Sequence, residues 1–508
     1  DAIDRAVRRE LRTLQARYPH TPFVCLSPLA EGADRLVAQA CQDMLEADLV
    51  VPLPLPEALY REDFADARSE ADFDALCDAA AAVFEIPLDA PREAVRPYDE
   101  PRNRQYAQVG ALVVEHCDIL VAVWDGEPAR GTGGTGDVVQ WALQGRAPAE
   151  YTVSDMPDRP FYHPNETEII HVHAHTAAVR VHPHEGVFGD HTDAESSDVE
   201  TSHRDVLASI NRYNADLQNA PPTEADRQQS LSYVLGDAWT AEGCQTPSMR
   251  HIVAHYTQAD VLAQHLQGDY HGRLRSIYGL SAIAVFVSAL AGLYPVLVAA
   301  NLFVVGIAYL LLKSAERREM EARFLRTRAL AEGLRVAIFW HGAGIAEHVR
   351  DYYLNKYAVE LAFCRVVQQN LEVQRWMHAE PFARDASCFS TDAIRDLWVD
   401  DQISYFSRTK TKIQARARRM NAFTSFTYRA AFLMVVAMAA VAVFADPIQP
   451  WFNGLALAVS LTLAAGVSVK SYQDKLGLEA LYKHYTKAER LYRTARSELD
   501  VLAPDTPN

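Results

Sequence analysis

Two stretches of this chain carry almost no charge, and they restrict what it can become more than any other feature. Between Arg275 and Lys313 the run SIYGLSAIAVFVSALAGLYPVLVAANLFVVGIAYLLL has no ionisable side chain except tyrosine. That is room for two helices of about 19 residues each with a break at Tyr294-Pro295. The second stretch extends from about Thr424 to Val469, interrupted only by Arg429 and by the turn Asp446-Pro447-Ile448-Gln449-Pro450. A predominantly apolar helix of about 20 residues crosses the hydrocarbon core of a bilayer. The sequence therefore predicts four transmembrane helices in two hairpins, spanning about 276–294, 295–313, 425–445 and 451–469.

The flanks predict orientation. Arg273, Arg275, Lys313, Arg317 and Arg318 bracket the first hairpin, and Arg416, Arg418, Arg419, Arg429, Lys470 and Lys475 the second, while neither tip has a Lys or Arg. By the positive-inside rule both tips face outward and both termini are cytoplasmic, in a multi-pass plasma-membrane protein. The basic run Arg408, Lys410, Lys412, Arg416, Arg418 and Arg419 is expected to meet anionic lipid headgroups. The opening DAIDRAVRREL is a charged amphipathic helix rather than a signal peptide.

Outside the spans the sequence is ordinary soluble protein. Its 66 acidic against 49 basic residues, net −17, argue against a protein that coats nucleic acid. The seven cysteines show no C-x-x-C spacing, which fits reduced thiols rather than a disulfide framework or a zinc site.

Residues 1–185 alternate short apolar runs (FVCLSPL, DLVVPLPLP, AAVFEIPL, CDILVAVWDG) with helical periodicity. Such alternation predicts an α/β, Rossmann-like domain with a parallel sheet. This order opens on a helix, Asp1 to Tyr18, so a strand and loop are expected ahead of Asp1. An acidic linker at 186–202 follows, and the remainder reads as an all-α membrane domain of two units, 203–350 and 351–508. Each unit has a hairpin followed by an amphipathic helix with an A-E-x-L core, Ala331-Glu332-Gly333-Leu334 and Ala488-Glu489-Arg490-Leu491.

Open α/β sheets hold ligands at the carboxyl ends of their strands. Two loops qualify. In the first, Ser27-Pro28-Leu29-Ala30-Glu31-Gly32-Ala33-Asp34-Arg35, a strand ends in a small polar residue, turns through Gly32 and opens a helix whose free amides suit a phosphate. The plain alternative is a strand–turn–helix connection with Ser27 as a cap. In the second, Asp125-Gly126 leads to Arg130-Gly131-Thr132-Gly133-Gly134-Thr135-Gly136-Asp137 and a helix. Four glycines in six positions let the backbone approach a phosphate or ribose without Cβ clashes. The loop is neither a Walker A motif nor a first-unit G-x-G-x-x-G. His171-Val172-His173-Ala174-His175 reads as a surface strand, and no metal site or catalytic residue is assigned.

The pairing of S-x-x-A-x-G-x-D (Ser27 to Asp34) with strand–G-T-G-G-T–helix (Gly131 to Thr135) resembles the SLOG domains, a Rossmann-like group that includes DNA-processing protein A and the LOG phosphoribohydrolases. The resemblance implies a nucleotide-type or NAD-derived ligand, without a resident cofactor, surrounded by Ser27, Gly32, Asp34, Gly133, Gly134 and Thr135; Glu31, Arg35, Asp125, Gly131 and Thr132 of the same two loops complete the set of ligand-binding candidates. LOG enzymes place a glutamate after this loop and an arginine upstream; here Asp137 stands near the first place and no arginine matches the second. The paired spans with their A-E-x-L helices resemble the SLATT group, helical membrane modules found beside SLOG sensors in bacterial conflict systems.

Three classes of function follow. The favoured one is a bacterial inner-membrane sensor–effector of antiphage defence, in which nucleotide binding gates an oligomeric pore rather than turning over substrate. The alternatives are a membrane-anchored nucleotide or NAD hydrolase and a non-catalytic scaffold. Small-residue segments (SALAG, AMAAVAVFA, TLAAG) suit close helix contacts and predict a homo-oligomer. Asn301, Ser281, Ser288, Ser460 and Thr462 are the polar residues expected to line its path.

Overall fold

The computed structural model describes residues 2–153, 166–182, 202–240, 244–291, 294–354, 359–379, 381–382, 387–444 and 450–502. All of the predicted linker except Ser202, and the turn from Asp446 to Gln449, lie outside these residues. The chain forms two compact units, the first comprising Asp1–Leu262 and Arg326–Cys388, the second Ala263–Leu325 and Phe389–Asn508.

In chain order the first unit begins with α1 (Ala2–Arg17), β1 (Val24–Leu26), α2 (Ala33–Leu45), β2 (Asp48–Leu53), α3 (Glu57–Tyr60), α4 (Ala67–Asp78) and β3 (Ala82–Glu85). It continues with α5 (Glu100–His116), β4 (Ile119–Trp124), α6 (Thr135–Gln144), β5 (Glu168–His173), β6 (Val179–His182), α7 (His203–Asn219) and α8 (Glu224–Val234). The chain then passes into α9 (Pro247–Ala291), α10 (Leu297–Arg317), α11 (Met320–Gly342), α12 (Ala362–Arg375), α13 (Thr391–Ile394), α14 (Asp401–Phe444), α15 (Pro450–Lys475) and α16 (Leu478–Leu502).

Local chemistry sets the helix starts. The Asp66 carboxylate accepts from the amides of Arg68 and Ser69 to open α4, and reciprocal capping boxes, Ser202 with Asp205 and Thr223 with Asp226, open α7 and α8. Gly145, in the left-handed conformation, closes α6.

Among the described residues, the expected single sheet is observed as two three-stranded sheets, ordered β1-β2-β3 and β4-β5-β6. Within the first, β1 and β3 both run parallel to β2, with Cys25 opposite Leu49 and Val51 opposite Val83. In the second, β4 and β5 are parallel, Ile119 opposite Glu168, and β6 returns antiparallel as a hairpin strand. β2 is buried from Leu49 to Leu53, as a parallel strand covered on both faces should be. Part of the covering comes from far along the sequence: Val373 of α12 and the adjacent Trp376 pack with Val50, Ile86, Val109 and Leu112.

Buried charge ties the strand starts together. Glu168, at the head of β5, accepts from Arg17 at 3.0 Å and from Arg204 at 2.6 and 3.0 Å, while its own side chain is 2 % exposed. Two fork-shaped guanidinium groups on one carboxylate satisfy a charge that burial would otherwise make costly.

Among the described residues, four helical stretches are long and apolar enough to cross a membrane: Pro247–Ala291, Leu297–Gly342, Thr391–Ala440 and Phe452–Val501. No described residue of α10 is buried, and Leu302 and Phe303 are 74 % and 70 % exposed, a surface suited to lipid rather than water. α14 and α15 approach closely at one point, where a Cβ on Gly466 would collide with the Thr427 hydroxyl. The basic run ahead of the third span is partly engaged within the protein: Lys410 is ion-paired to Glu489, which also accepts from Arg493 at 2.8 Å. That lysine is therefore already partnered within the protein.

Candidate ligand site

A cavity of about 620 Å³ lies in the first unit between β1 and β4. Its volume is within the 300–1,000 Å³ of ligand sites. The interior is mainly apolar, built from Val24, Leu26, Ile119 and Val121 of the strands with Leu11 and Leu14 of α1 and Val109 and Val113 of α5.

The two predicted loops meet at this cavity. Ser27 and Asp34 from the first, and Gly133, Gly134 and Thr135 from the second, all line it. Tyr60 and Tyr106 connect them. The Tyr60 hydroxyl donates to Pro28 O at 3.0 Å, its ring lies 6.1 Å from that of Tyr106, and a Cβ built on Gly133 would be 2.9 Å from the Tyr106 carbonyl carbon.

Two carboxyl groups border the same space. Burial pushes the Asp34 carboxyl up to about 6, against a backbone hydrogen bond from Ala30 that favours its charge. Asp118, just ahead of β4, is pushed up to about 7 by burial although Asn370 hydrogen-bonds to it. Both groups sit in the range where an acid can give or take a proton near neutrality.

The other predicted site residues are not on the cavity wall, and several are committed elsewhere. Arg35 is buried, donating to Leu29 O at 2.9 Å and to the Ser69 carbonyl and hydroxyl, with its guanidinium 4.4 Å from the Phe64 ring centroid. Glu31 accepts from the Ser69 hydroxyl and from Ala65 N at 2.9 Å. Together they fasten the first loop to the start of α4. Asp125 accepts from Glu127 N at 3.1 Å and lies 3.7 Å from the Arg130 guanidinium. Gly32, Gly131 and Thr132 also lie off the wall.

The glycine-rich loop is only partly what its sequence suggests. Gly133 has φ +82°, and a Cβ there would fall 2.5 Å from both N and Cα of Ala107 in α5. A Cβ on Gly136 would come within 2.7 Å of Ala129 N. Packing against neighbouring backbone therefore requires these two glycines. At Gly134 a Cβ would sit 3.2 Å from Ala129 Cβ, whereas at Gly131 it would meet nothing within 4 Å. Loop amides are also used internally: Gly133 N donates to Asp137 Oδ2 at 3.0 Å and Gly134 N to Gly131 O at 3.1 Å. Asp137 is thus a brace for the loop.

Sequence reasoning missed Asp118, Asn370, Asn214 and His255, which also line the cavity. Asp118 looked like the polar edge of a strand, and the others sit on helices whose placement no local pattern reports. His171, expected on a surface strand, is instead buried, its Nε2 3.0 Å from Trp124 O.

Among the membrane candidates, Ser281, Ser460 and Thr462 donate to the carbonyls of Ile277, Ala456 and Ala458 at 2.9, 3.0 and 2.7 Å. A hydroxyl bonded to its own helix needs no water, so these residues are compatible with lipid as well as with an aqueous path. Ser288 is exposed. Asn301 differs: its amide oxygen is buried without a hydrogen-bond partner among the described residues. The chain matches no protein-family model, no curated protein and no solved structure.

Proposed function

We propose that this chain is a nucleotide-sensing membrane effector. A Rossmann-like, SLOG-like first unit binds a nucleotide or NAD-derived signal at the loop end of its cavity, and a SLATT-like second unit opens a homo-oligomeric pore in the bacterial inner membrane, in antiphage defence. Both termini are cytoplasmic, and Asn301 faces the conducting path. The observation that carries this reading is the meeting of Ser27 and Asp34 with Gly133, Gly134 and Thr135 on one cavity, in a chain with four membrane-length helices. Helices α9 and α11 each contribute residues to both units, so a change in the first has a covalent route to the second. Moving such an equilibrium from 1:99 to 99:1 requires about 5.5 kcal/mol of ligand preference, within the reach of one bound nucleotide.

The test combines mass spectrometry of nucleotides retained by the purified protein with dye leakage from liposomes. Thr135→Val, which removes one hydroxyl from the cavity wall, should reduce nucleotide retention and ligand-dependent leakage together. Leakage that is equal in both proteins and independent of nucleotide would overturn the coupling.

A second reading, a membrane-anchored nucleotide hydrolase, draws on the raised Asp34 carboxyl, which could serve as a general acid. Turnover of a nucleotide that is lost in Asp34→Asn, without any change in leakage, would favour it.

A further inference from the structure

The cavity runs the length of two strand edges. β1 ends the first sheet and β4 the second, and both line it. Ser27 N donates to Val50 O and Asp48 N to Phe23 O, so the backbone groups of Val24 and Leu26 face away from β2. Glu168 N donates to Asp118 O and Ala174 N to Trp124 O, which leaves those of Ile119, Val121 and Val123 facing away from β5. The middle of the cavity therefore carries backbone donors and acceptors among apolar side chains. Its two ends are about 20 Å apart, the six residues of β4 at ~3.3 Å each.

The end remote from the loops is floored by polar side chains. Asp118 stands at the start of β4, and Asn370 of α12 hydrogen-bonds to its carboxyl. Asn214 of α7 donates to Thr21 Oγ1 at 3.3 Å, ahead of β1, which leaves its own oxygen as an acceptor. His251 Nε2 donates to Leu371 O at 3.1 Å, next to Asn370, and His255 lies one turn further along α9. Asp118, Asn370, Asn214 and His255 all line the cavity. Asp118 keeps 19 % of its side chain accessible although protein surrounds it, so what it exposes faces this space.

The chemistry of the floor is neutral. None of the described residues lining the cavity is a lysine or an arginine. Burial pushes His255 down to about 3 and Asp118 up to about 7, so the floor offers hydrogen bonds without a fixed charge. A phosphate finds no cation there, whereas an uncharged heterocycle finds partners for its polar edge. A protonated carboxyl sets one donor beside one acceptor, the complement of an amino group next to a ring nitrogen, as in adenine and cytosine. An ionised carboxylate offers two acceptors instead, which suits the adjacent N–H groups of guanine.

We propose that the floor formed by Asp118, Asn370 and Asn214 is a base-reading subsite for an amino-substituted nucleobase, adenine or cytosine, and that the ligand of this cavity is a dinucleotide. The second half of this statement rests on the reading of the loop end as a phosphate site. The two ends are further apart than the base and phosphate of a single nucleotide, so two nucleosides joined through phosphate are needed to reach both. One base lies against Asp118, the phosphate lies at Thr135 and the neighbouring glycines, and sugar hydroxyls between them meet the edge groups of β1 and β4.

The experiment titrates adenosine, cytidine, guanosine and diadenosine diphosphate into the full chain in detergent by calorimetry. Wild type is compared with Asp118→Asn, Asp118→Leu, Asn370→Leu and the loop variant Thr135→Val, each checked by its melting temperature. Adenosine or cytidine should bind about tenfold more tightly than guanosine, or better, the discrimination given by one good bidentate pair. Asp118→Asn, whose amide also offers one donor and one acceptor, should keep that binding, and Asp118→Leu and Asn370→Leu should lose it. Thr135→Val should leave nucleoside binding unchanged and weaken the dinucleotide. Guanosine binding as tightly as adenosine and cytidine, or nucleoside binding untouched in both leucine variants, would overturn the proposal. A dinucleotide that binds through the loops while no nucleoside binds would overturn the floor subsite and leave the loop reading standing. Nucleosides read at the floor, with no effect of Thr135→Val on the dinucleotide, would uphold the subsite and remove the loop reading.

Discussion

Gly133→Ala isolates the reason for glycine in the loop between β4 and α6. At φ +82° a side chain forces the left-handed region, at about 1–2 kcal/mol. The new methyl would also fall 2.5 Å from two backbone atoms of Ala107, in the middle of α5, where relief requires moving a helix rather than a side chain. Overpacking of that kind costs about 1–3 kcal/mol, so the total is about 2–5 kcal/mol. Gly131→Ala provides the comparison, since its Cβ meets nothing within 4 Å and its φ is not positive; stability should stay within about 0.5 kcal/mol. The assay is thermal unfolding of full-length protein in detergent, followed by tryptophan fluorescence, with Trp124 and Trp141 on either side of the loop. Gly133→Ala should melt several degrees lower and Gly131→Ala together with wild type. If both melt together with wild type, the packing account of the loop is wrong.

Other substitutions follow from the same structure. Asp118, at about 7 against about 3.8 unfolded, favours its protonated form in the fold, so its contribution is fully present below pH 4 and is lost as pH rises through 7. Asp118→Asn should therefore stabilise the protein at pH 8 by up to about 4 kcal/mol, with little change at pH 4, as read from melting curves across that range. Burial alone would raise Glu168, but hydrogen bonds from Arg204 and Arg17 prevail and lower it, so its contribution is present above the unfolded pKa and lost in acid. Glu168→Gln should cost about 3 kcal/mol at pH 7, the low end for a broken buried pair because both arginines are partly exposed, and should flatten the acid limb of the stability profile. In the second unit, Gly466→Val would drive a side chain into Thr427 and should separate α14 from α15, measured as lost cross-linking between cysteines placed along the two helices.

What could be read from the sequence depended on how local the cause was. The membrane character was legible because about 20 uncharged residues in a row have few other solutions, and four helical stretches among the described residues are long and apolar enough to cross a membrane. The strands were legible as apolar runs between turns. The break between β1 and β4 was not, because an edge strand and a central parallel strand have the same apolar composition. Glycines at 131 to 136 announced a loop, but only the approach of α5 distinguishes Gly133, forced by packing, from Gly131, which is free of it. Arg35 and Glu31 looked like ligand-binding residues because charge beside a turn usually faces outward; here each is used to hold Ser69. Trp376 gave no sign that it belongs under a sheet made almost 300 residues earlier.

The discontinuous make-up of the first unit has a consequence for how the protein is made. Its core needs Val373 and Trp376, which leave the ribosome only after the first pair of spans has been synthesised. At roughly 5–20 residues per second, the more than one hundred residues between α8 and α12 delay completion by several seconds to half a minute. Throughout that interval the α/β half remains unfinished while the first pair of apolar helices is already complete. Synthesis of the first hairpin thus comes before closure of the first unit's core, and a nascent chain stalled after α12 has that helix available while one stalled before Ala362 does not. Arrested chains of these two lengths should differ sharply in protease resistance of the first 150 residues, with membrane integration of the first hairpin complete in both.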